Sequence, residues 1–331
     1  MLTRLRKPYY GWYIVCMAFI SLFIGAGTGG FVFGIFLPAM RSELGWSQST
    51  IVVASSITSI TSAIAGPVLG RVADRRGPQV ILISALLVMF AGMAGAGLVH
   101  EPWQLYLTFG LLTGVARSGL QSVVPGTMIS NWFIKRRSTA YGIAAMGPPC
   151  SNFLLPPVIT AIVAMWGWRV GWLAMGLQGL IIGLIPALLI RRQRPEELGL
   201  QPDGDRIMVT AESTGSRSAS LQAARSEDWT ASEAIHSPAF WMVAAGMALV
   251  LLGPNVSIIF MFSYFGNLGI SSTTAALAVS AVSGMQVLSR LFFWAPVSAR
   301  IPSVRWLLIV WGSIMFCGTM SLAFAQGEIW A

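Results

Sequence analysis

Two arginines stand where an arginine is costly. Arg117 lies midway along an apolar run near 103–131, and Arg290 lies inside another near 273–294. A charge at the centre of a bilayer costs roughly 2.5–3.5 kcal/mol on insertion scales, so each needs a partner or a watery cavity. The apolar runs of this chain hold no Asp or Glu that could serve as that partner. A guanidinium offers a planar fork that grips a carboxylate through two parallel hydrogen bonds. The chemistry these residues suggest is therefore capture of an anion. Gln286 precedes Arg290 by four residues and shares its helix face, and Gln121 follows Arg117 at the same spacing. Asn152 and Asn255 are further polar side chains placed to line a cavity. Each has a plainer reading. Arg290 can snorkel to headgroups, Arg117 can hold an interhelical network, and Gln286, Asn152 and Asn255 can be structural hydrogen-bonding groups.

A second cluster sits between runs. Gly70-Arg71-Val72-Ala73-Asp74-Arg75-Arg76-Gly77 reads as a tight turn in which glycines allow close approach. Asp74 can cap a helix end or pair with an arginine, so Gly70, Asp74, Arg75 and Gly77 are candidates for a gate. Enzyme chemistry finds no foothold. There is no phosphate-cradling glycine loop with a lysine and no Cys/His metal spacing. Only His100 and His236 are available for a catalytic triad. The sequence predicts no cofactor and no resident metal.

These residues require elements that cross a membrane. The chain has 331 residues, 55% hydrophobic and 10% charged, whereas a water-soluble domain carries about 25% charge. Spans need about 20 apolar residues. Nine runs qualify, near 11–38, 49–69, 79–99, 103–131, 139–165, 170–190, 239–266, 273–294 and 304–325. Of 21 Lys and Arg residues, 17 fall at the N-terminus or in alternate loops. That alternation predicts a cytoplasmic N-terminus and explains the net charge of +9 without nucleic acid. Cys16, Cys150 and Cys317 lie in apolar runs and predict no disulfide. The fifth run carries Gly147-Pro148-Pro149 and Pro156-Pro157, where bends are expected.

The predicted architecture is an all-α polytopic bundle. Residues 1–190 form a six-span first half, 191–235 a polar linker with a short amphipathic helix near 231–236, and 236–331 a partial second half of about three spans. A worn copy of the turn, Ala295-Pro296-Val297-Ser298-Ala299-Arg300-Ile301-Pro302, follows the first by about 225 residues. Trp103 and Trp330 are similarly spaced, so the residues before Ala331 read as the start of a tenth span. A six-plus-six plan built on repeats would then lack about three spans, and a truncated, non-transporting fragment is the alternative expectation.

With its place between spans and its copy, Gly70-x-x-x-Asp74-Arg75-x-Gly77 resembles the signature of the major facilitator superfamily. A narrower resemblance is to its monocarboxylate and oxalate–formate transporter branch. It is carried by Gly11-Trp12, Gly45-Trp46-Ser47, Asn131-Trp132-Phe133-Ile134-Lys135-Arg136-Arg137, Gly167-Trp168-Arg169 and the linker from Arg194-Pro195-Glu196-Glu197 to Asp203-Gly204. The resemblance implies secondary transport of a small organic anion, with Arg290 on the substrate carboxylate. That branch often has an aspartate where Gln286 stands, and a lysine where span one reads Gly29-Gly30-Phe31. Both departures lean away from proton symport, toward exchange or uniport. The expected location of such a multi-pass chain is the plasma (inner) membrane, with membrane lipid as the surrounding partner. A neutral solute is the other alternative.

Overall fold

Three glycines at positive φ each end or break a helix. Gly45 adopts φ 67° and returns its N–H to Arg41 O, and Ser47 then accepts from Thr50 N–H at 3.1 Å. Glycine enters the left-handed region without a Cβ penalty, and serine is a favoured N-cap. Gly45-Trp46-Ser47 is thus one helix stop followed by one helix start. Gly77, at φ 86°, ends a second helix, and Pro78 begins the next at a position that needs no N–H donor. Gly167, at φ 82° and ψ 167°, breaks a 53-residue helical stretch. Run straight, such a stretch would reach about 80 Å, far beyond a bilayer.

The computed structural model describes residues 9–134, 136–189 and 272–289, with residue 195 and scattered positions at 233–248 and 312–317. Among these every regular element is helical. In order they are α1 (Gly11–Gly27), α2 (Gly30–Leu44), α3 (Gln48–Arg76), α4 (Pro78–Ala96), α5 (Pro102–Leu105), α6 (Gly114–Ser118), α7 (Val124–Trp132), α8 (Arg137–Ala144), α9 (Gly147–Gly179), α10 (Ile185–Leu189) and α11 (Ser272–Ser289). Wider π-helical turns at Tyr106–Thr113 and Gly119–Val123 join α5, α6 and α7 into one run, and another at Leu180–Leu184 leads into α10. Among the described residues, four helical stretches are long and apolar enough to cross a membrane: Gly11–Leu44, Gln48–Arg76, Pro78–Ala96 and Arg137–Leu189. Arg290, Asn255, Lys135, the second copy of the turn and nearly all of the predicted linker lie outside the described residues.

The chain divides into two units, Met1–Arg206 with Ile259–Phe292, and Ile207–Ile258 with Phe293–Ala331. All of the named helices belong to the first. In the second, the described positions between 238 and 248 are helical, and the Phe240 and Trp241 rings meet edge to face at 5.5 Å.

The first unit is apolar both in its core and over much of its surface. Ile60, Ile64 and Val68, one turn apart on α3, are 61%, 69% and 53% exposed. Such a stripe suits lipid and would be a liability in water. Within the core, Phe36 stacks on Trp172 at 4.0 Å, and Phe33 stacks on Phe109 at 4.8 Å. These rings join α2, the run from Pro102 to Trp132, and α9. At the α1 start, Tyr9 donates to Trp132 O at 3.0 Å, and its ring meets Trp132 and Phe133 edge to face. Asn131-Trp132-Phe133 therefore latches the end of α7 to the start of α1. Helix α11 packs on α9 with Ser280 and Ser283 buried, where a Cβ on Gly284 would lie 3.2 Å from the Phe153 ring.

Two elements differ from expectation. The run near 11–38 is not one helix: Thr28 and Gly29 interrupt it, with Gly29 extended at ψ −175°. Thr28 Oγ1 donates to Gly25 O at 2.8 Å and Gly29 N–H to Ala26 O at 2.8 Å, so the end of α1 is closed locally. The Gly70–Gly77 segment is not a tight turn either. It is the last two turns of α3, which runs to Arg76, and only Gly77 has turn geometry. Arg75 and Arg76 favour that helical ending because cations suit the negative end of the helix dipole. A Cβ on Gly70 would meet nothing within 4 Å, so no close approach occurs there. The bend expected at Gly147-Pro148-Pro149 is present as the break at Ala145 and Met146 between α8 and α9.

Candidate functional site

Arg117 stands at the midpoint of the Pro102–Trp132 run, on the short helix α6 held between two π-helical turns. Its side chain is half-buried, and no carboxylate pairs with it among the described residues. Its Nε donates to Gln121 Oε1 at 3.0 Å, one turn farther along. Insertions of π type are frequent where a helix serves a site, because the extra residue re-aims its neighbours.

Span one supplies the opposite wall. A Cβ on Gly25 would fall 2.6 Å from Gln121 Cγ, and one on Gly29 would fall 3.7 Å from Arg117 Nη2. The side chains of Arg117 and Gln121 thus occupy space that two glycines leave open. Ser21 Oγ donates to Leu120 O at 2.7 Å and locks the two elements together at that level. The break between α1 and α2 lies at the middle of Gly11–Leu44, as Arg117 lies at the middle of its own run.

Among the described residues, neither Asn152 nor Gln286 hydrogen-bonds to this pair. Asn152 is half-buried on α9, beside fully buried Ser151, whose Oγ would sit 3.2 Å from a Cβ on Gly27. Gln286 is exposed on α11. Asp74 and Arg75 are exposed near the end of α3, and Asp74 makes no ion pair among the described residues. Asp74 is also two residues before Arg76, the last residue of the helix, so it cannot act as an N-cap there.

A contact that the sequence did not announce lies at the far end. Glu43, on the last turn of α2, accepts from Trp168 Nε1 at 2.6 Å and pairs with the Arg169 guanidinium. That guanidinium sits 4.3 Å from the centre of the Trp168 ring. The only sequence signal is one acid and one Arg flanking apolar runs on the same side.

Comparison with known proteins agrees with this architecture. The Major Facilitator Superfamily model matches residues 17–331. Monocarboxylate transporter 4 of Rattus norvegicus is 26% identical over 259 residues, 77% of this chain and 51% of that protein. Monocarboxylate transporter 2 of Mesocricetus auratus is 24% identical over 294 residues, 85% of this chain and 57% of that protein. MFS-type transporter 1 of Ophiocordyceps sp. (strain BCC 1869) is 30% identical over 169 residues, 49% of this chain and 37% of that protein. The chain spans about half the length of these relatives. Among solved structures, a bacterial homologue of the lysosomal transporter Spinster, inward-facing and unoccupied, has TM-score 0.60 at 17% identity, covering 84% of this chain and 60% of its own. A D-xylose–proton symporter has TM-score 0.58 at 15% identity, covering 85% and 67%. The two structures share the fold alone. With the family model covering nearly its whole length, this multi-pass membrane chain belongs to the Major Facilitator Superfamily of secondary transporters.

Proposed function

We propose that the protein carries a small organic anion, a carboxylate, across an inner membrane by alternating access of two helical halves. The observation that carries this reading is Arg117, a cation at mid-run with no carboxylate beside it among the described residues. An intramembrane charge is retained where a watery cavity or a ligand receives it. The relatives named monocarboxylate transporters support the substrate class. Arg290 is the second proposed anchor, with Gln286, Gln121, Asn152 and Asn255 as lining groups.

In this reading residues 1–190 and 236–331 belong to the two halves, the 191–235 segment tethers them, and the N-terminus is cytoplasmic. Gly70, Asp74, Arg75 and Gly77 form the cytoplasmic gate, with Asp74 engaging a cation as the halves rock. Glutamine at 286 does not titrate, so coupling by exchange or uniport is favoured over proton symport at that position.

The test is uptake of labelled acetate, lactate and oxalate into proteoliposomes holding the full chain. Removing either guanidinium by Arg117→Gln or Arg290→Ala should lower uptake about tenfold or more, the value of a lost charge-assisted hydrogen-bond pair. Undiminished uptake in both variants overturns the role of the arginines. Uptake of neutral amides with no preference for the acids overturns the anion reading itself.

A further inference from the structure

We infer that Gln121 is a positioning residue that turns Arg117 end-on to one carboxylate seated at the break in span one. This rests on the anion-carrier reading above and adds the geometry of its seat. A guanidinium has two edges able to grip a carboxylate in bidentate fashion, one made by Nε with an Nη and one made by the two Nη nitrogens. Gln121 Oε1 already accepts from Nε at 3.0 Å. The side-on edge is therefore occupied, and only the end-on pair of Nη groups remains for a ligand.

One of those Nη groups lies beside span one. Arg117 Nη2 is the side-chain atom that a Cβ on Gly29 would approach, at 3.7 Å. Gly29 is the N-cap of α2 and has no side chain with which to cap it. The first turn of any helix leaves N–H groups without intrahelical acceptors and carries a partial positive charge. Two positive ends, the arginine fork and the start of the fifteen-residue α2, thus meet at mid-run with no acid between them among the described residues. Each repels the other until an anion lies between. Broken membrane helices that aim their N-termini at carboxylates are a recurrent solution to this problem.

The opposite end of the break gives Arg117 no equivalent relief. The last carbonyls of α1 at Gly25 and Ala26 already accept from Thr28 Oγ1 and Gly29 N–H, both at 2.8 Å. No hydrogen bond runs from Arg117 to either. Gly25 completes the arrangement: a Cβ there would lie 2.6 Å from Gln121 Cγ, so any larger residue would push the glutamine off its place. One carboxylate taken through both oxygens would relieve both positive ends, so a monocarboxylate head is the expected ligand. An ester or amide of the same acid lacks the charge that relieves the two positive ends.

The experiment measures binding by ligand-induced thermal stabilisation of the purified full chain, with acetate, lactate and oxalate as probes. Methyl acetate and lactamide serve as neutral controls. Gln121→Glu keeps the acceptor for Nε and nearly the same shape, but places an internal carboxylate on Arg117. That carboxylate competes for the fork, so a ligand seated on Arg117 predicts that acid binding weakens about tenfold or more while the unliganded protein stays folded. Gln121→Met keeps the length and removes the acceptor, freeing the fork to swing, and should also weaken binding. Because it adds no charge, this variant tests positioning itself: a Gln121 that only fills space would be replaced by methionine without loss. Acid binding unchanged in the folded glutamate variant, or in the methionine variant, overturns the seat and leaves the carrier reading standing. No acid binding by the unaltered protein overturns the carrier reading itself.

Discussion

Trp168 donates its indole N–H to Glu43 Oε2 at 2.6 Å, across 125 residues of sequence. The bond ties the last turn of α2 to the residue just after the Gly167 reversal. Arg169 closes the same carboxylate from the other side and lies over the Trp168 ring. The Gly167-Trp168-Arg169 motif is thereby explained as a turn plus two groups that hold one acid.

The two partners of Glu43 differ in worth. Arg169 is partly exposed, and exposed ion pairs contribute little because water screens them. Trp168 is 2% exposed and its N–H needs an acceptor. Glu43→Gln, which still accepts from the indole, should leave thermal unfolding nearly unchanged. Trp168→Phe removes the bond and part of the buried ring, and should lower the unfolding midpoint clearly. Equal effects of the two substitutions would show that the indole bond carries no special share.

The superfamily turn separates into two glycines with different tasks. Gly77 has φ 86° and ψ 155°, a region essentially closed to other residues. Gly77→Ala should destabilise the protein by about 1–3 kcal/mol. Gly70 is inside α3 with open space around it. Gly70→Ala should therefore be neutral or stabilising by about 0.5–1 kcal/mol, as alanine is the better helix former. If it nonetheless reduces uptake in proteoliposomes, the close approach at Gly70 belongs to another conformation. Chemical unfolding and uptake measured on the same preparations separate the two effects.

Tyr9 Oη is the hydrogen-bond donor that joins the start of α1 to Trp132 O. Tyr9→Phe keeps the ring contacts with Trp132 and Phe133 and removes only that donor. A loss of about 0.5–1.5 kcal/mol in unfolding free energy is expected. No loss would mean that ring packing alone holds the latch.

Much of this architecture was legible because its punctuation is chemical. Gly45 before Ser47, Gly77 before Pro78 and the glycine–proline step at 147–149 each mark a helix end by φ or by a missing N–H. The Gly70–Gly77 motif misled in part, since Arg71, Arg75 and Arg76 mark the loss of apolar character and not the loss of helix. The break at Thr28 and Gly29 was hidden for the converse reason. Apolar residues continue on both sides, and hydrophobic runs report burial in lipid without reporting backbone continuity. The spacing of Arg117 and Gln121 on one helix face was legible, but their hydrogen bond was not read from it, and its placement against Gly25 and Gly29 is tertiary. So is the meeting of Glu43 with Trp168 and Arg169, which no local pattern encodes.

Gly25 tests the site without touching a charged group. Its absent side chain is what lets Gln121 Cγ lie where a Cβ would be 2.6 Å away, a distance real Cβ contacts do not show. Gly25→Ala must therefore move Gln121, or move α1 against the anchor that Ser21 Oγ makes with Leu120 O. Overpacking of this kind costs about 1–3 kcal/mol in stability. If the fork of Arg117 depends on Gln121, acid binding should fall together with stability in Gly25→Ala. A second-site Gln121→Ala removes the atom that clashes and should restore the stability without restoring the binding. Stability and binding recovering together in the double variant would show that Gln121 fills space and does not aim the arginine.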